Sequence, residues 1–404
     1  MYAAYQAHTD LLWPLRTATR LSLPFLQDAH VADSGWLPAR HWAAAGQVFE
    51  LAQITHARPP WRITEVMAGD EHWPVTEEAT LTTPFATLRR FARQGAPASP
   101  KVLVVAPMSG HFATLLRDTV RALLQDHDVY VTDWHNVRDV PLAAGRFGLD
   151  EYTQHLIDFL ATLGPAANVV AVCQPCVSAL AAVALMAEDD HPATPASLTL
   201  MAGPIDCRVS PTAVNELATS KPIAWFKKNL ISHVPWQHAG AGRRVYPGFV
   251  QLSAFMSMNK DRHANAFKDY YKHLVADEFD KAEVTRTFYE EYMAVADLAA
   301  DFYLETVERV FQTFDLPRGE LRFKGRRVNP AAIRRTALLT IEGERDDICS
   351  VGQTLAAQDL ASSLKAYMRT HYIQPNVGHY GVFSGRRWQH QVYPLVRHVI
   401  QVSQ

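Results

Sequence analysis

This 404-residue chain has no excess of charge of either sign: 39 Lys and Arg stand against 41 Asp and Glu, a formal net charge of −2. Without a basic surplus, nothing directs it to nucleic acid. Cysteine is scarce, with only Cys173, Cys176, Cys207 and Cys349, a set that forms no disulfide scaffold. Cys173 and Cys176 make a C-x-x-C, but no second such pair or suitably spaced histidine pair accompanies it, which argues against zinc. A thioredoxin-type dithiol shares that spacing, yet the motif opens a much smaller fold. The cysteine usage suits a reducing cytoplasm. No apolar run approaches the roughly 20 residues needed to cross a bilayer. The N-terminus has no basic stretch followed by an apolar run and a small-residue cleavage site, so no secretory signal is expected. What remains is 48% hydrophobic and 20% charged, an ordinary globular balance over a length that allows one large domain with insertions or two domains.

The most informative stretch is Asn168-Val-Val-Ala-Val-Cys-Gln-Pro-Cys-Val-Ser-Ala-Leu-Ala-Ala-Val-Ala-Leu-Met186. Val169, Val170 and Val172 form a short β-branched run of the kind that makes a buried parallel strand. From Pro175 the composition turns to Ala and Leu, predicting a helix with proline in its first turn, where a missing N–H costs nothing. Cys173 therefore falls where strand becomes helix, the position of a nucleophile elbow. The positive end of a helix dipole and a nearby imidazole are what activate a thiol so placed. Such elbows usually read G-x-S-x-G, whereas Ala171 and Pro175 hold the glycine positions here. An isolated cysteine is by type more often buried and inert, so the assignment depends on partners elsewhere.

Residues 1–60 are expected to be helical with interruptions. Leu11-Leu-Trp-Pro-Leu15 and Leu21-Ser-Leu-Pro-Phe-Leu26 are apolar clusters broken by proline, and His41–His56 forms a further helix. A packed extension is preferred here to a hydrophobic docking surface. Trp61–Val66 and Val75–Phe91 alternate like strands about Ala68-Gly-Asp70, and Gln94–Pro100 has a linker's composition. From Lys101 strands alternate with helices, the signature of a parallel sheet: strands Val102–Ala106, Asp128–Asp133 and Leu198–Ala202, helices Phe112–Leu124 and Leu149–Leu163. Ligands bind beyond the carboxyl ends of such strands. Pro107-Met-Ser-Gly-His111, Trp134-His-Asn136 and Cys173 should thus face one crevice. Residues 207–330 are aromatic-rich without buried strands and include a long helix over Phe288–Phe311. The rhythm then resumes with the strand Thr336–Glu342, a helix from Gly352, the strand Ala366–Ile373 and a last helix from Trp388. A sheet interrupted after its elbow by a helical cap and then completed is the plan of the α/β-hydrolases. The expected organisation is an N-terminal helical extension with the first strands (1–98), a hydrolase core (99–206 and 331–404) with a mostly parallel central sheet, and a helical cap (207–330).

That plan requires an acid after a late strand and a histidine after the last one. Ile341-Glu-Gly-Glu-Arg-Asp-Asp-Ile348 supplies Asp346 or Asp347, and Val377-Gly-His-Tyr-Gly-Val382 supplies His379. Each alone is an ordinary loop residue; their order relative to Cys173 is what joins them.

Val172-Cys-Gln-Pro175, Ala106-Pro-Met-Ser-Gly-His111, Ala113-Thr-Leu-Leu-Arg-Asp118, Gly203-Pro-Ile-Asp206, Gly242-Arg-Arg-Val-Tyr-Pro-Gly248 and Gly378-His-Tyr-Gly-Val-Phe-Ser-Gly-Arg-Arg-Trp388 resemble the bacterial intracellular polyhydroxybutyrate depolymerases. The resemblance runs over nearly the whole chain. It departs locally, since the family pattern has proline where Ser178 stands and no cysteine where Cys176 stands. By that resemblance Cys173 is the nucleophile, Asp346 the acid and His379 the base. The substrate it implies is amorphous polyester in cytoplasmic storage granules, whose surface is then the chain's partner.

The expected chemistry is attack by the Cys173 thiolate on an ester carbonyl, with His379 moving the proton and Asp346 holding the imidazole. Backbone N–H groups of Gln174 and Met108 would hold the oxyanion, Met108 being preferred to Ser109 on loop position. No metal or bound cofactor is required. Water or a thiol such as coenzyme A could release the acyl group. An open-ended apolar crevice should receive the polymer, with Ser109, Trp225, Trp236 and Phe255 as substrate contacts. Two rivals stand beside this reading: a polyester synthase, which shares the residue types but typically carries G-x-C-x-G at the elbow, and a non-catalytic granule-surface protein. Oligomeric state is left open.

Overall fold

β-branched runs build the centre of the molecule. The computed structural model describes residues 1–27 and 37–404, so part of the expected N-terminal helical segment, residues 28–36, lies outside the described residues. Nine strands form one sheet: β1 Glu65–Ala68, β2 Glu71–Thr82, β3 Ala86–Arg93, β4 Lys101–Val105, β5 Asp128–Trp134, β6 Asn168–Val172, β7 Ser197–Met201, β8 Ala337–Gly343 and β9 Arg369–Gln374. Their order is β1-β2-β3-β5-β4-β6-β7-β8-β9. The neighbours from β5 through β9 pair in parallel, and β1, β2 and β3 join antiparallel at one edge. Every residue of β6 and β7 is buried, which is why these strands read as continuous apolar runs rather than as alternation. Helices α3 (Arg117–Leu123), α4 (Leu149–Leu163) and α5 (Cys176–Glu188) lie between the parallel strands in sequence. This is the α/β-hydrolase fold.

The first strands differ in detail from the expected ones. Val75–Phe91 is two strands, because Thr83-Pro-Phe85 turns the chain: Thr83 Oγ1 accepts from the N–H groups of Phe85 and Ala86. Trp61 is not in a strand; it is buried edge-on against Phe91, ring centres 4.9 Å apart.

Helix α1, Tyr2–Leu26, runs unbroken through Pro14 and Pro24, where interruptions were expected. Both prolines face solvent, so the carbonyls deprived of a partner can bond water instead. Helix α2, Leu37–Leu51, packs beside it.

The cap contains α6 (Ala213–Thr219), α7 (Ile223–Asn229), α8 (Gly248–Met258), α9 (Lys260–Val275), α10 (Phe279–Tyr292) and α11 (Ala300–Thr306). The long helix expected over Phe288–Phe311 is absent: α10 stops at Tyr292, and residues 293–299 cross the interior mostly as extended chain. Distant groups bond this segment. The Val295 N–H donates to Thr55 O at 2.8 Å, and the Ala296 N–H donates to Gly110 O at 2.9 Å. Buried Asp297 accepts from Tyr2 Oη at 2.8 Å and from the Gly248 N–H at 2.9 Å. The cap also holds a small antiparallel sheet, Ser232–His233, Arg244–Tyr246 and Leu298–Ala299, where no buried strand was expected.

Candidate active site

Cys173 follows β6 with a φ of +67°. A side chain in this left-handed region is strained, and such strain is characteristic of a residue held at a strand-to-helix corner for function. The corner is fixed by hydrogen bonds on both sides: Cys173 N–H to Met201 O at 2.8 Å, and Cys176 N–H to Cys173 O at 3.1 Å. Pro175 then caps α5. Room for the turn, usually provided by glycines flanking the nucleophile, comes from Gly203 on the neighbouring strand's exit. A Cβ at Gly203 would overlap the Cys176 side chain and lie 3.1 Å from the Cys173 carbonyl. The two thiols of the C-x-x-C therefore differ sharply. Cys173 is partly exposed, whereas Cys176 is fully buried against the carbonyls of Ala171 and Met201. Burial raises the Cys176 pKa well above its ordinary value, so it stays a neutral packing group.

The acid comes from the loop after β8. Asp346 Oδ1 accepts from the N–H groups of Ile348 and Cys349, both at 2.9 Å, and Oδ2 accepts from His379 Nδ1 at 2.8 Å. Its neighbour Asp347 is exposed. His379, after β9, is nearly buried, with Phe383 and Tyr380 edge-on to its ring at 5.6 and 6.0 Å. Burial disfavours its charged form, but its interactions with the Cys173 side chain and with Asp346 outweigh burial and raise its proton affinity well above that of free imidazole. The bond to Asp346 assigns the proton on Nδ1 and turns Nε2 away from the carboxylate.

The loop after β4 lies buried at Met108, and the backbone N–H groups of Met108, Ser109 and Gln174 have no backbone acceptor among the described residues. Trp134, His135 and Asn136, expected in the same crevice, are instead bonded into the body. Trp134 Nε1 donates to Ala106 O, His135 lies within hydrogen-bond distance of Thr87 and of Pro84 O, and Asn136 holds Asp297 and His56.

A cavity of about 400 Å³ reaches His379 from the cap side, lined among others by Phe255, Phe288, Tyr292, Tyr380 and Arg262. Of the aromatics expected to contact substrate, Phe255 lies in it, 6.0 Å from the His111 ring and nearly parallel to it. Trp225 lies on α7 against Phe226, Trp236 is 89% exposed in a turn, and neither of them nor Ser109 lines this cavity.

A brace behind the acid escaped the sequence reading. Glu342, fully buried at the end of β8, accepts from the N–H groups of Gly352, Thr354 and Leu355. Thr354 Oγ1 in turn accepts from the Gly203 N–H and donates to Gly203 O. The Asp346 loop and the elbow are thus tied through one hydroxyl. An acid closing an apolar strand was the available signal.

The family model described as "PHB de-polymerase C-terminus" matches residues 202–404, half of the chain. The chain belongs to the PHB depolymerase family. Its class of chemistry is ester hydrolysis. The depolymerase match includes Asp346, His379 and the cap, while Cys173 and the Met108 loop lie in the other half. No curated protein matches the chain in sequence. Among solved structures, it is similar to a thermophilic esterase from Thermogutta terrifontis, with 13% identity, 81% of this chain and 98% of that one covered, and a TM-score of 0.41. It is likewise similar to 2-hydroxy-6-oxo-6-phenylhexa-2,4-dienoate hydrolase from Rhodococcus sp. strain RHA1, with 13% identity, coverage of 81% and 99%, and a TM-score of 0.42.

Proposed function

We propose that this chain cleaves the ester bonds of amorphous poly(3-hydroxybutyrate) in cytoplasmic storage granules, with Cys173 as nucleophile, His379 as base and acid, and Asp346 as the group that orients the imidazole. The observation that carries the reading is the strained Cys173 elbow within side-chain reach of a buried His379–Asp346 pair, whose imidazole lines an aromatic crevice. The Cys173 sulfur attacks the ester carbonyl carbon while its proton resides on His379, and Asp346 stabilises the imidazolium. Backbone N–H groups of Gln174 and Met108 hold the oxyanion, a contribution worth about 3 kcal/mol of barrier per donor in comparable sites. The C–O bond then breaks, His379 protonates the departing alkoxide of the polymer, and a thioester remains on Cys173. Water, deprotonated by His379, releases 3-hydroxybutyrate units or oligomers and restores the thiol. A thiol acceptor such as coenzyme A would release the acyl group as its thioester by the same route. Every step balances without a bound cofactor.

Product analysis on native granules, with and without coenzyme A, tests this. Release of 3-hydroxybutyrate, its oligomers or the coenzyme A thioester is the expected result. Incorporation of hydroxybutyryl-coenzyme A without release would identify a synthase instead, and binding with neither reaction would leave only a granule-surface protein.

A further inference from the structure

Six apolar positions along α1 form a ridge in solvent. Ala7, Leu11, Leu15, Ala18, Leu21 and Phe25 recur at three- and four-residue intervals, and all are exposed, Leu11 at 78%, Leu21 at 77% and Phe25 at 65%. At 1.5 Å per residue the ridge is about 27 Å long. The packed extension expected from sequence accounts for the opposite face only. An uncovered apolar strip of this length marks an interaction surface.

We infer that this ridge docks the chain on the uncharged surface of its own polyester, an inference that rests on the function proposed above. The charges of α1 argue for that occupant. Its two arginines already have partners: Arg16 lies 4.4 Å over the Phe49 ring and donates to the Phe49 carbonyl, and the exposed Arg20 pairs with Glu50 and Gln53. A helix that lies on anionic lipid keeps Lys and Arg beside its apolar face to meet the headgroups, and here those cations are already engaged. A specific protein partner would need about one hydrogen bond per 100–200 Å². The ridge's side chains offer no donor or acceptor, and the neighbouring Ser22 hydroxyl is spent on the Thr19 carbonyl. A polyester carries no charge and no donors, so an apolar strip meets all it presents.

The helix that carries the ridge is packed, through its other face, on the helices that wall the crevice. On the inner side of α1, Tyr5 stacks flat on Phe249 with ring centres 4.0 Å apart, and Phe249 shares α8 with Phe255. Helix α2 packs on α9, whose Arg262 and His263 line the crevice. A chain held by the ridge is held by the helices that roof its active site.

The test is sedimentation of the full-length chain with protein-free amorphous poly(3-hydroxybutyrate) particles, comparing wild type, Leu11→Gln/Leu15→Gln/Leu21→Gln and the corresponding triple methionine variant. Hydrolysis of p-nitrophenyl butyrate is measured on each. The expected result is a loss of particle affinity of about ten-fold or more for the glutamine variant. The methionine variant should bind like wild type, and all three should cleave the soluble ester equally. Unchanged binding by the glutamine variant, or no binding by wild type, overturns the docking assignment. Stronger wild-type binding to phosphatidylcholine–phosphatidylglycerol vesicles than to the particles gives the ridge to a membrane. A wild-type dimer that the glutamine variant dissolves gives it to a second copy. Failure of the proposed function is read separately: wild type that binds the particles and cleaves the soluble ester but releases nothing from the polymer sinks that function and spares the ridge.

Discussion

At the end of the sheet, Asp346 accepts three hydrogen bonds in a space nearly closed to water; on the cap, Trp236 is 89% exposed, and Leu217, Phe279 and Val284 stand in solvent. The two regions answer different demands. In the proposed mechanism Asp346 and His379 form a proton relay, which works only if its atoms are held within tenths of an ångström, and Glu342 and Thr354 brace the loop that holds them. On the proposed function the cap meets a disordered polymer, and a surface of that kind gains from apolar area and has little use for fixed partners. Covered rigidity lies beneath the crevice and exposed apolar surface lies above it. Substitutions in the first region should abolish chemistry on every substrate, and on the cap only those that line the crevice should discriminate between polymer and small ester.

The largest effect expected is at the elbow. Cys173→Ala should reduce turnover by about four orders of magnitude or more on granules and soluble ester alike, with an unchanged thermal transition. Equal survival on either substrate would remove the thiol from the chemistry. Next is the acid: Asp346→Asn should cost about 10³- to 10⁴-fold in kcat because the imidazole loses its orientation and counter-charge, whereas Asp347→Asn should change kcat only a few-fold. Comparable losses in both would break the assignment of the buried partner.

His111 lies at the seam between the two regions, donating from Nε2 to Tyr292 O at 3.0 Å beside Phe255. Burial depresses its pKa from 6.5 to about 4. A depressed histidine contributes stability that is fully present above pH 6.5, where both folded and unfolded forms are neutral, and is lost as pH falls through 4, since the unfolded chain takes the proton first. Between those values wild type should lose about 3 kcal/mol that His111→Gln retains, measured by urea unfolding across the range. Parallel pH profiles for the two proteins would show that the seam is not acid-sensitive.

A smaller effect is expected at the crevice. Phe255→Ala should lower granule turnover about ten-fold while changing p-nitrophenyl butyrate hydrolysis less than two-fold. Trp225→Ala and Trp236→Ala, away from the cavity, should leave both rates within two-fold. Equal losses on polymer and small ester at Phe255 would make the cap a structural cover. Smallest is Cys176→Ala, which should keep at least half of wild-type activity, because that neutral thiol only fills space beside Gly203.

Much of the core was legible because its signals are local. Val169, Val170 and Val172 announce a buried strand, Pro175 announces the helix that follows, and the order of Cys173, Asp346 and His379 repeats the order in which a hydrolase sheet is completed. The choice between Asp346 and Asp347 was open on residue type and rested on resemblance; in the structure only Asp346 bonds His379, its carboxylate being buried beneath the imidazole while Asp347 stands exposed. The cap was legible in composition and not in placement. Aromatic richness marks a lining and a core equally, so nothing in the sequence separated Phe255 from Trp225 and Trp236.

What the sequence alone determined is thus the fold class, the position of the elbow and the inventory of reactive groups, all consequences of periodicity and short-range backbone preference. Only the tertiary structure decided the rest. The extended crossing of residues 293–299 replaces a helix because its polar groups are satisfied by Thr55, Gly110, Gly248 and Tyr2, partners that no local window contains. Helix α1 survives two prolines because both fall on its solvent face, and a face exists only once α2 has covered the other. The room for the elbow comes from Gly203 rather than from the residues flanking Cys173, because β6 and β7 bring the two turns together in space.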